Sequence, residues 1–465
     1  MGGRADRVPD LFDYFQRIFA RIWADKKYRQ DTARIFRTCL KAAQPLPIEV
    51  IQVIVQSSPQ YYAIQAPVTT SYTWDTHEMI DRTRAQVNGR CQDLLSIAQR
   101  QFRSPSEHNE YTLVLGTLYR VEFLHRTVQD FLVQSPSVLA DLQDHAGEDF
   151  DTPSTLLACY VWLIKRAGSI VSSRNNTSLD YIDMLAMGWS TEGLLHAFDA
   201  PADSTTAKLI EELDHAMSKA YTCPRHVHWS NGINPTGARE RHGRTGESGV
   251  SVDLYVSEHG QRDYIAHLVQ FSLLDEVKTR LAANPALVRN KKGRPYLDYA
   301  LRCHAGTFKG ADERQRAWLV QRSRNLDMVE YLLGLGCDVN SPISIYDCHS
   351  IWYLYLRSLC LDSEHPMTRT TDQSEEKPRQ VTWRLIQHGT KDVQRCFLES
   401  RPKSSAAAKY PHETVTQRKM SARDILVKIF GEDEGSSMHD AVLRNETVNS
   451  WRSPLTYLTR LWGQT

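Results

Sequence analysis

Apolar residues recur with helical spacing through most of the first 220 residues. Near the N-terminus Leu11, Phe15, Ile18 and Ile22 share one helical face, and Asp10 stands where an N-cap would be. The same spacing predicts further helices over residues 28–43, 47–54, 76–100, 154–166, 179–198 and 205–220, and a short one over 421–430. The sequence therefore predicts a mainly α-helical fold.

The period changes from helical to alternating over residues 111–124, YTLVLGTLYRVEFL. Apolar and charged residues alternate from Tyr119 to Phe123, which is typical of a β-strand with two unlike faces. Gly116 and Thr117 have the composition of a tight turn, so a small β-hairpin is predicted here. Helical spacing returns at Val128, which places a strand-to-helix junction just before it.

The segment VEFLHRTVQDFL, Val121–Leu132, spans this junction. His125 beside Asp130 suggests acid–base chemistry, but no serine or cysteine nucleophile motif completes such a site. Thr127 and Asp130 have the spacing of a capping box. We therefore expect His125 to cap or support the helix start, and Arg126 to pair with a carboxylate across the domain. The residues of this structural motif are His125, Arg126, Thr127, Asp130, Phe131 and Leu132.

A second kind of pattern follows residues 222–252, which lose periodicity and have the Gly, Arg, His and Ser content of a linker. Segments starting at Leu273 and Asn325 share the order Asp, apolar residue, leucine pair and turn. Helical repeats of about 33 residues have this kind of internal order, and the polar residues 304–324 can hold an insertion between two copies. A third copy is predicted over 381–390. The repeat residues are Asp327, Val329, Leu332, Leu333, Gly336, Asp338 and Asn340.

Composition excludes several classes of protein. Lys and Arg number 56 and Asp and Glu number 55, so no global field attracts nucleic acid or an anionic membrane. The apolar runs are too short to span a bilayer, and the N-terminus lacks the apolar core of a signal peptide. Nine cysteines without paired spacing are expected to be reduced thiols. A cytoplasmic protein without a membrane segment is predicted.

Two clusters of residues suggest a binding site, one for a metal ion and one for nucleic acid, but neither has the pattern that such a site requires. Cys223, His226 and His228 have zinc-ligating side chains, but their spacing matches no common zinc motif. Several arginines near the fourth predicted helix suggest nucleic-acid binding, although acidic neighbours dilute their charge. These arginines are Arg82, Arg84, Arg90, Arg100 and Arg103. No catalytic residue, cofactor site or metal site is assigned.

The segment Val121–Leu132, with RCQDLL (Arg90–Leu95) and YRQDTARIFRTCLKAAQPLPIEV before it, resembles the part of fungal NACHT-type proteins that follows the NTPase module. The resemblance covers roughly residues 8–220 and implies a winged-helix-like unit leading into an uncharacterised helical domain. Ankyrin-like repeats often follow in that family. NLDMVEYLLGLGCDVN, Asn325–Asn340, resembles one of them, whereas RPYL at 294–297 matches the repeat's threonine-proline-leucine-histidine element only in part.

The chain departs from this family in its nucleotide site. A NACHT-type protein carries a P-loop, in which backbone N–H groups and a lysine bind phosphates. No G-x-x-x-x-G-K-[ST] pattern occurs, and GINPTGARE, Gly232–Glu240, lacks both the spacing and the lysine–hydroxyl pair. Nucleotide hydrolysis is therefore not implied. We expect a split or truncated relative that keeps the regulatory and repeat parts.

These observations give an expected organisation and function. The expected function is a non-enzymatic protein-interaction or regulatory module, by resemblance in self/non-self recognition or defence, whose protein partner binds the ankyrin-like region. Two alternatives stay open: a nucleic-acid-binding regulator that uses the winged-helix-like unit, and a metal-dependent enzyme at the Cys223 cluster. The predicted domains are a winged-helix-like unit with a small β-hairpin (8–135), a helical domain (136–221), a flexible linker (222–260), degenerate ankyrin-like repeats with insertions (261–398) and a C-terminal tail with short helices (399–465).

Overall fold

A computed structural model describes residues 11–42, 44–68, 76–99, 119–171, 179–220, 229, 263–302, 324–344, 348–364, 373–391, 396–399 and 417–445. The chain divides into two compact units, Met1–Pro224 and Arg225–Thr465. Both consist mainly of helices with small antiparallel sheets, which confirms the predicted mainly α fold. Among the described residues, no helix combines the length and the apolar character needed to cross a membrane.

The first unit contains ten described helices and one three-stranded sheet. The strands are β1 (Leu46–Pro47), β2 (Leu95–Gln99) and β3 (Tyr119–Phe123), and a 3-10 turn covers Ile48–Val50. The helices are α1 (Leu11–Ala24), α2 (Arg29–Lys41), α3 (Ile51–Ile54), α4 (Pro59–Gln65), α5 (Thr76–Cys91), α6 (Arg126–Gln134), α7 (Pro136–Ala146), α8 (Thr152–Val171), α9 (Leu179–Ala197) and α10 (Ser204–Ala220).

Helix α1 forms as its apolar spacing predicts, and it brings aromatic side chains together. Phe15, Ile18, Phe19 and Ile22 are buried along one face. The rings of Phe15 and Phe19 lie 5.3 and 5.9 Å from the ring of Phe131 in α6. Burial of large aromatic side chains supplies much of the apolar stabilisation in a core. This cluster therefore fixes α6 against the N-terminal helix.

Helix α8 is the centre of the rest of the first unit. It packs against α2, α4, α9 and α10. The helix predicted over 154–166 lies within α8, and its large apolar side chains are buried, among them Leu156, Leu157, Tyr160, Leu163 and Ile164. Because this helix is apolar on most of its surface, it is surrounded by other helices rather than lying at the protein surface.

Strand β3 is the central strand of the sheet, whose order is β1-β3-β2 with antiparallel pairing throughout. Val121 is opposite Leu46 on one side and Ile97 on the other. The strand predicted at Tyr119–Phe123 is thus confirmed. The predicted turn at Gly116 and Thr117, and the strand before it, lie outside the described residues.

The helix predicted over residues 76–100 is wrong in its last third. It ends at Cys91, and residues 95–99 form β2 instead. Gln92 and Asp93 have φ values of 51° and 59°, a left-handed conformation that stops the helix. The Leu94 and Ala98 side chains, which fit a helical face in sequence, lie beyond that stop. The predicted start of the third helix also differs, because Pro47 lies in β1.

The second unit is a series of helices with short two-stranded sheets. The described strands are β4 (Pro342–Ile343), β5 (His349–Ser350), β6 (Cys396–Glu399) and β7 (Gln417–Met420). The helices are α11 (Tyr264–Gln270), α12 (Leu274–Ala283), α13 (Ala286–Asn290), α14 (Tyr296–Leu301), α15 (Leu326–Gly334), α16 (Ile351–Glu364), α17 (Gln373–Gln387), α18 (Ala422–Phe430) and α19 over residues 432–445.

Helices of the second unit pair and stack in chain order. Helix α11 packs against α12 and α14, α14 against α15 and α16, and α16 against α18. Helix α15 also packs against α17. The Tyr355 hydroxyl of α16 lies 3.2 Å from the Pro378 carbonyl oxygen and 3.0 Å from Thr382 Oγ1, both in α17. These contacts connect consecutive helices of the second unit into a continuous packed series.

Two segments expected to lack packed structure contribute to this unit. Trp229 falls in the predicted linker, yet it is buried and its ring lies 5.3 Å from that of His267. Strand β7 begins at Gln417 and pairs with β6, within the stretch that the sequence predicts as a C-terminal tail with short helices. The apolar content of these stretches is too small to produce a periodic signal, so only long-range packing reveals their role.

Gly435 provides a test of the close approach between α18 and α19. A Cβ atom at this position would lie 2.5 Å from Val427 N and 2.6 Å from the Leu426 carbonyl carbon. We expect Gly435→Ala to destabilise the second unit by about 1–3 kcal/mol, because backbone must move to accept the methyl group. Gly334→Ala is the matched control, since a Cβ there meets nothing within 4 Å. Equal melting temperatures for the two variants in calorimetry would contradict this packing.

Candidate functional site

His125 forms the link between the sheet and α6. The Leu124 N–H donates to the Leu94 carbonyl at 3.1 Å, after which the chain turns into the helix. His125 is the N-cap residue: its Nδ1 accepts a hydrogen bond from Thr127 N at 3.2 Å. This side chain satisfies one of the free N–H groups at the helix start. The Thr127–Asp130 capping box expected from spacing does not form, because the helix begins one residue after His125 rather than at Thr127.

Arg126 and Asp130 pair with each other within α6. The distance from Arg126 Nε to Asp130 Oδ2 is 3.5 Å, and the arginine side chain is 86% exposed. The expected pairing across the domain is therefore replaced by a pair one helical turn apart. Such exposed pairs contribute little stability. Asp130 thus pairs with Arg126, and His125 binds the Thr127 N–H. The two residues therefore do not form the acid–base pair considered from the sequence.

Phe131 and Leu132 complete the junction as packing residues. Both are fully buried, and Phe131 lies 5.3 Å, ring to ring, from Phe12 as well as from Phe15. The segment Val121–Leu132 thus joins a central strand, an exposed helix cap and an aromatic core. The contacts of this segment are therefore structural: they connect the sheet to α6.

Sequence reasoning missed a buried carboxyl group close to this joint. Glu49 in the 3-10 turn is 1% exposed, and its carboxylate oxygens have no hydrogen-bond partner within the described structure. Arg120 of β3 donates from Nη1 to the Pro45 carbonyl oxygen at 3.5 Å. Burial raises the pKa of Glu49 to about 7, and the residue's own backbone N–H and the positive charge of Arg120 oppose that rise.

Further titratable groups line the same interior. The Tyr160 hydroxyl donates to Glu192 Oε2 at 3.5 Å, and its ring stacks 6.1 Å from that of His196. Cys159 Sγ lies 3.9 Å from the Val50 carbonyl oxygen. Burial raises the pKa of both Cys159 and Tyr160 well above their ordinary values. Both groups are therefore neutral near pH 7.

Two buried cations in the first unit bind backbone carbonyls at helix ends. Lys165 Nζ lies 3.0 and 2.8 Å from the Ala63 and Ile64 carbonyl oxygens at the end of α4, and 2.6 Å from Glu212 Oε2. Arg34 Nε donates to the Ala146 carbonyl oxygen at 3.0 Å at the end of α7. Both cations satisfy acceptors that a terminating helix leaves free.

The second unit contains a buried ionic cluster around Asp298 of α14. Arg302 Nε donates to Asp298 Oδ1 at 2.6 Å, and Arg294 donates to Oδ2 of the same carboxylate. Burial acts to raise the pKa of Asp298, but the charges of Arg302 and Arg294 outweigh it and the pKa falls below its ordinary value. The guanidinium of Arg294 also lies 4.1 Å from the centre of the Tyr299 ring.

The residues predicted to form a repeat lie on α15 and the turn after it. Val329, Leu332 and Leu333 are buried, whereas Asp327 is exposed in the first turn. Gly336, two residues after the end of the helix, has a φ of +87°, and its N–H donates to the Leu333 carbonyl at 2.9 Å. Glycine adopts this left-handed conformation without steric cost.

The end of α17 has the same geometry. Gly389 also has a φ of +87° and donates to the Ile386 carbonyl at 2.9 Å. Asn340 links the two helix ends: its Nδ2 donates to the Gly389 carbonyl at 2.9 Å, and its Oδ1 accepts from Lys391 N at 2.9 Å. Asp338 supports the turn by accepting from Asn340 N at 2.9 Å. These predicted repeat residues therefore lie together and tie successive helices to each other.

The arginines considered for nucleic-acid binding are largely paired with acids. Arg82 lies 2.6 Å from Glu78, and Arg90 lies 3.1 Å from Asp31. Arg84 pairs with Asp81 at 3.3 Å. Arg100 and Arg103 lie outside the described residues. The described face of α5 is thus a mixed-charge surface.

The metal cluster considered from the sequence, Cys223, His226 and His228, also lies outside the described residues. In the part of the chain that the structure describes, no group of three His, Cys, Asp or Glu side chains is placed to hold a metal ion. The described cysteines are free thiols.

Comparison with known proteins gives one match. A family model described as a domain of unknown function, DUF7791, matches residues 24–174. These residues include the three-stranded sheet, Glu49, the His125 junction and α8. Searches of curated proteins and of solved structures return no match. The first unit therefore contains a DUF7791 domain.

His125→Ala tests the helix cap at the junction. We expect a loss of about 1 kcal/mol, since the Thr127 N–H would lose its side-chain acceptor. His125→Asn keeps a capping oxygen and should retain most of that stability. Arg126→Ala is the neighbouring control and should change stability by less than about 0.5 kcal/mol. A melting temperature unchanged by His125→Ala would show that this cap is dispensable.

Proposed function

We propose that this chain is a non-enzymatic protein-interaction module that binds a protein partner through the helix pairs of its second unit. The observation that carries the proposal is the packing of consecutive helices against each other, α11 on α12, α14 on α15 and α16 on α17. Stacked pairs of this kind present an extended surface formed by equivalent positions of successive pairs. Proteins built in this way act mainly by binding other proteins.

The details of α15 support an ankyrin-like interpretation of the stack. The helix ends in a glycine turn, and Asp338 and Asn340 shape the chain that leads into β4. Strands β4 and β5 pair between one helix pair and the next. Pro342, Ser344 and Cys348 are exposed on this β4–β5 hairpin. We assign the hairpin as the part of the surface that contacts the partner.

The first unit supports a regulatory role next to the interaction surface. Its order is helix α2, strand β1, helices α3 to α5, then strands β2 and β3, with the sheet order β1-β3-β2. This is the order of elements that a winged-helix-like unit has. Together with the DUF7791 match, it favours a relationship to fungal NACHT-type proteins. On that resemblance, we propose a role in self/non-self recognition or defence signalling.

The interaction surface can be tested with the full chain as bait in quantitative affinity purification. We expect at least one protein that is retained by the unmodified chain and reduced about tenfold or more by Ser344→Arg combined with Cys348→Arg. A bulky charge at the centre of an interface typically costs more than about 1.4 kcal/mol, which is a factor of ten in affinity.

Thr279→Arg on α12 is the matched control, because Thr279 is also exposed but lies away from the β4–β5 hairpin in sequence. The control should retain the same protein, and all variants should keep the melting temperature of the unmodified chain. Loss of binding in the control and the hairpin variant alike would contradict the assigned surface. Robust hydrolysis of ATP or GTP by the purified chain would contradict the non-enzymatic part of the proposal.

A second candidate function is nucleic-acid binding by the first unit, which the order of its strands and helices favours. The paired arginines of α5 weigh against it, because phosphate binding requires unpaired positive charge. A gel-shift at low salt with duplex DNA and with RNA separates the two functions. We expect no shift at micromolar protein, and a shift abolished by Arg84→Glu would favour the second function.

A further inference from the structure

We propose that Glu49 and Arg120 form a proton-linked latch on β1: neutral Glu49 leaves Arg120 bound to the Pro45 carbonyl, and ionised Glu49 withdraws Arg120 and loosens β1. The latch lies in the DUF7791 domain and is independent of the interaction function proposed above. Its basis is a buried carboxyl group without a hydrogen-bond partner beside a cation that holds the edge of a very short strand.

Strand β1 depends on few contacts. It consists of Leu46 and Pro47, which lie opposite Val121 and Arg120 of β3. Because proline has no N–H, this strand can donate few hydrogen bonds to its neighbour. The bond from Arg120 Nη1 to the Pro45 carbonyl oxygen, at 3.5 Å, adds a side-chain contact to this pairing.

Glu49 follows β1 by two residues, and its burial in the closed arrangement favours the neutral form of its carboxyl group. A buried carboxylate without hydrogen bonds is costly, whereas the protonated acid is much less so. When the proton leaves, the new negative charge favours any arrangement that brings a cation or water to it. Arg120 is the cation whose charge acts on Glu49 in the closed structure.

Several other titratable groups lie on the elements that pack against the 3-10 turn. The turn packs against α3, α5, α8 and β3. Helix α3 carries no titratable side chain. In α5 the nearest such group is the buried Cys91, whose pKa burial raises well above its ordinary value, next to Arg90, which pairs with Asp31. Beside Arg120, β3 contributes Glu122, and α8 contributes Cys159 and Tyr160, beyond which Glu192 and His196 of α9 lie.

The direction of the pH effect follows from the raised pKa. In the closed state Glu49 gives up its proton near pH 7. When the turn is exposed, it gives up its proton near pH 4.5, the ordinary value for glutamate. Its contribution to the closed state is therefore complete below about pH 4.5 and is lost as the pH rises through about 7. The latch is closed in acid and loosens above neutral pH.

Hydrogen exchange of the full chain tests the latch. After correction for intrinsic exchange, the opening of peptides that cover residues 44–50 should increase on the order of tenfold between pH 5.5 and pH 8. Glu49→Gln keeps a neutral group of the same shape and should hold these peptides at their acidic level of protection at both pH values. Arg120→Gln should raise their exchange at both pH values.

Two controls isolate Glu49 from its neighbours. Glu122→Gln on the same strand and His196→Gln beside Tyr160 should both keep the pH-dependent exchange of residues 44–50. A carbon-13 titration of labelled glutamate carboxyls gives an independent readout, because one signal should titrate near pH 7 and be absent from the Glu49→Gln variant. A flat exchange profile in the unmodified chain, or pH dependence that survives in Glu49→Gln, would overturn the proposal.

Discussion

Buried cations that bind helix carbonyls hold the first unit together. Helices α3 and α4 are too short to be stable alone, and each ends inside the fold, where its last carbonyl groups need donors. Lys165 supplies them to the end of α4, and Arg34 to the end of α7 and to the Gln56 carbonyl after α3. Because Lys165 projects from the central helix α8, its hydrogen bonds add to the packing that holds α4 against α8. The helices around α8 could not pack so closely if these carbonyls faced apolar neighbours.

In the second unit, arginines donate to the carbonyl groups at helix ends and also pair with a carboxylate. Helix α14 has six residues, and Arg294 donates to the carbonyl oxygens of Asp298 and Arg302 at its C-terminal end. Arg324 donates to the Leu301 carbonyl at 3.3 Å. Arg294 and Arg302 also donate to the Asp298 carboxylate of α14. The arginines at this helix therefore bind both carbonyl groups and a carboxylate. Stacked helix pairs need such fixed ends, because each pair is positioned only by its neighbours.

Much of the helical framework could be predicted from the sequence, because α1, α8, α10 and α15 each bury a periodic apolar face. Strand β3 could be predicted from its alternation, as could the junction at His125 from the change of period. The end of α5 could not, since Gln92 and Asp93 adopt a left-handed conformation without the glycine that would signal it. Glu49 and Lys165 were missed for a related reason. A charged residue in an apolar run is normally read as the exposed side of an element, and only the tertiary structure shows that these two face inward.

Two of the buried carboxyl groups, Glu49 and Asp298, show how the number of neighbouring cations decides whether a buried acid stays titratable. Asp298 meets two guanidinium groups within hydrogen-bond distance, and their charges outweigh its burial, so the group is ionised at every physiological pH. Among the described residues, the cation whose charge acts on Glu49 is Arg120, and Arg120 donates a hydrogen bond to the Pro45 carbonyl oxygen. Burial therefore dominates, and the proton is held until near pH 7. Ion pairing with one partner rarely compensates the desolvation of both groups. A buried acid near one arginine that already binds a carbonyl therefore stays titratable. The same acid between two arginines stays ionised and forms a permanent ion pair.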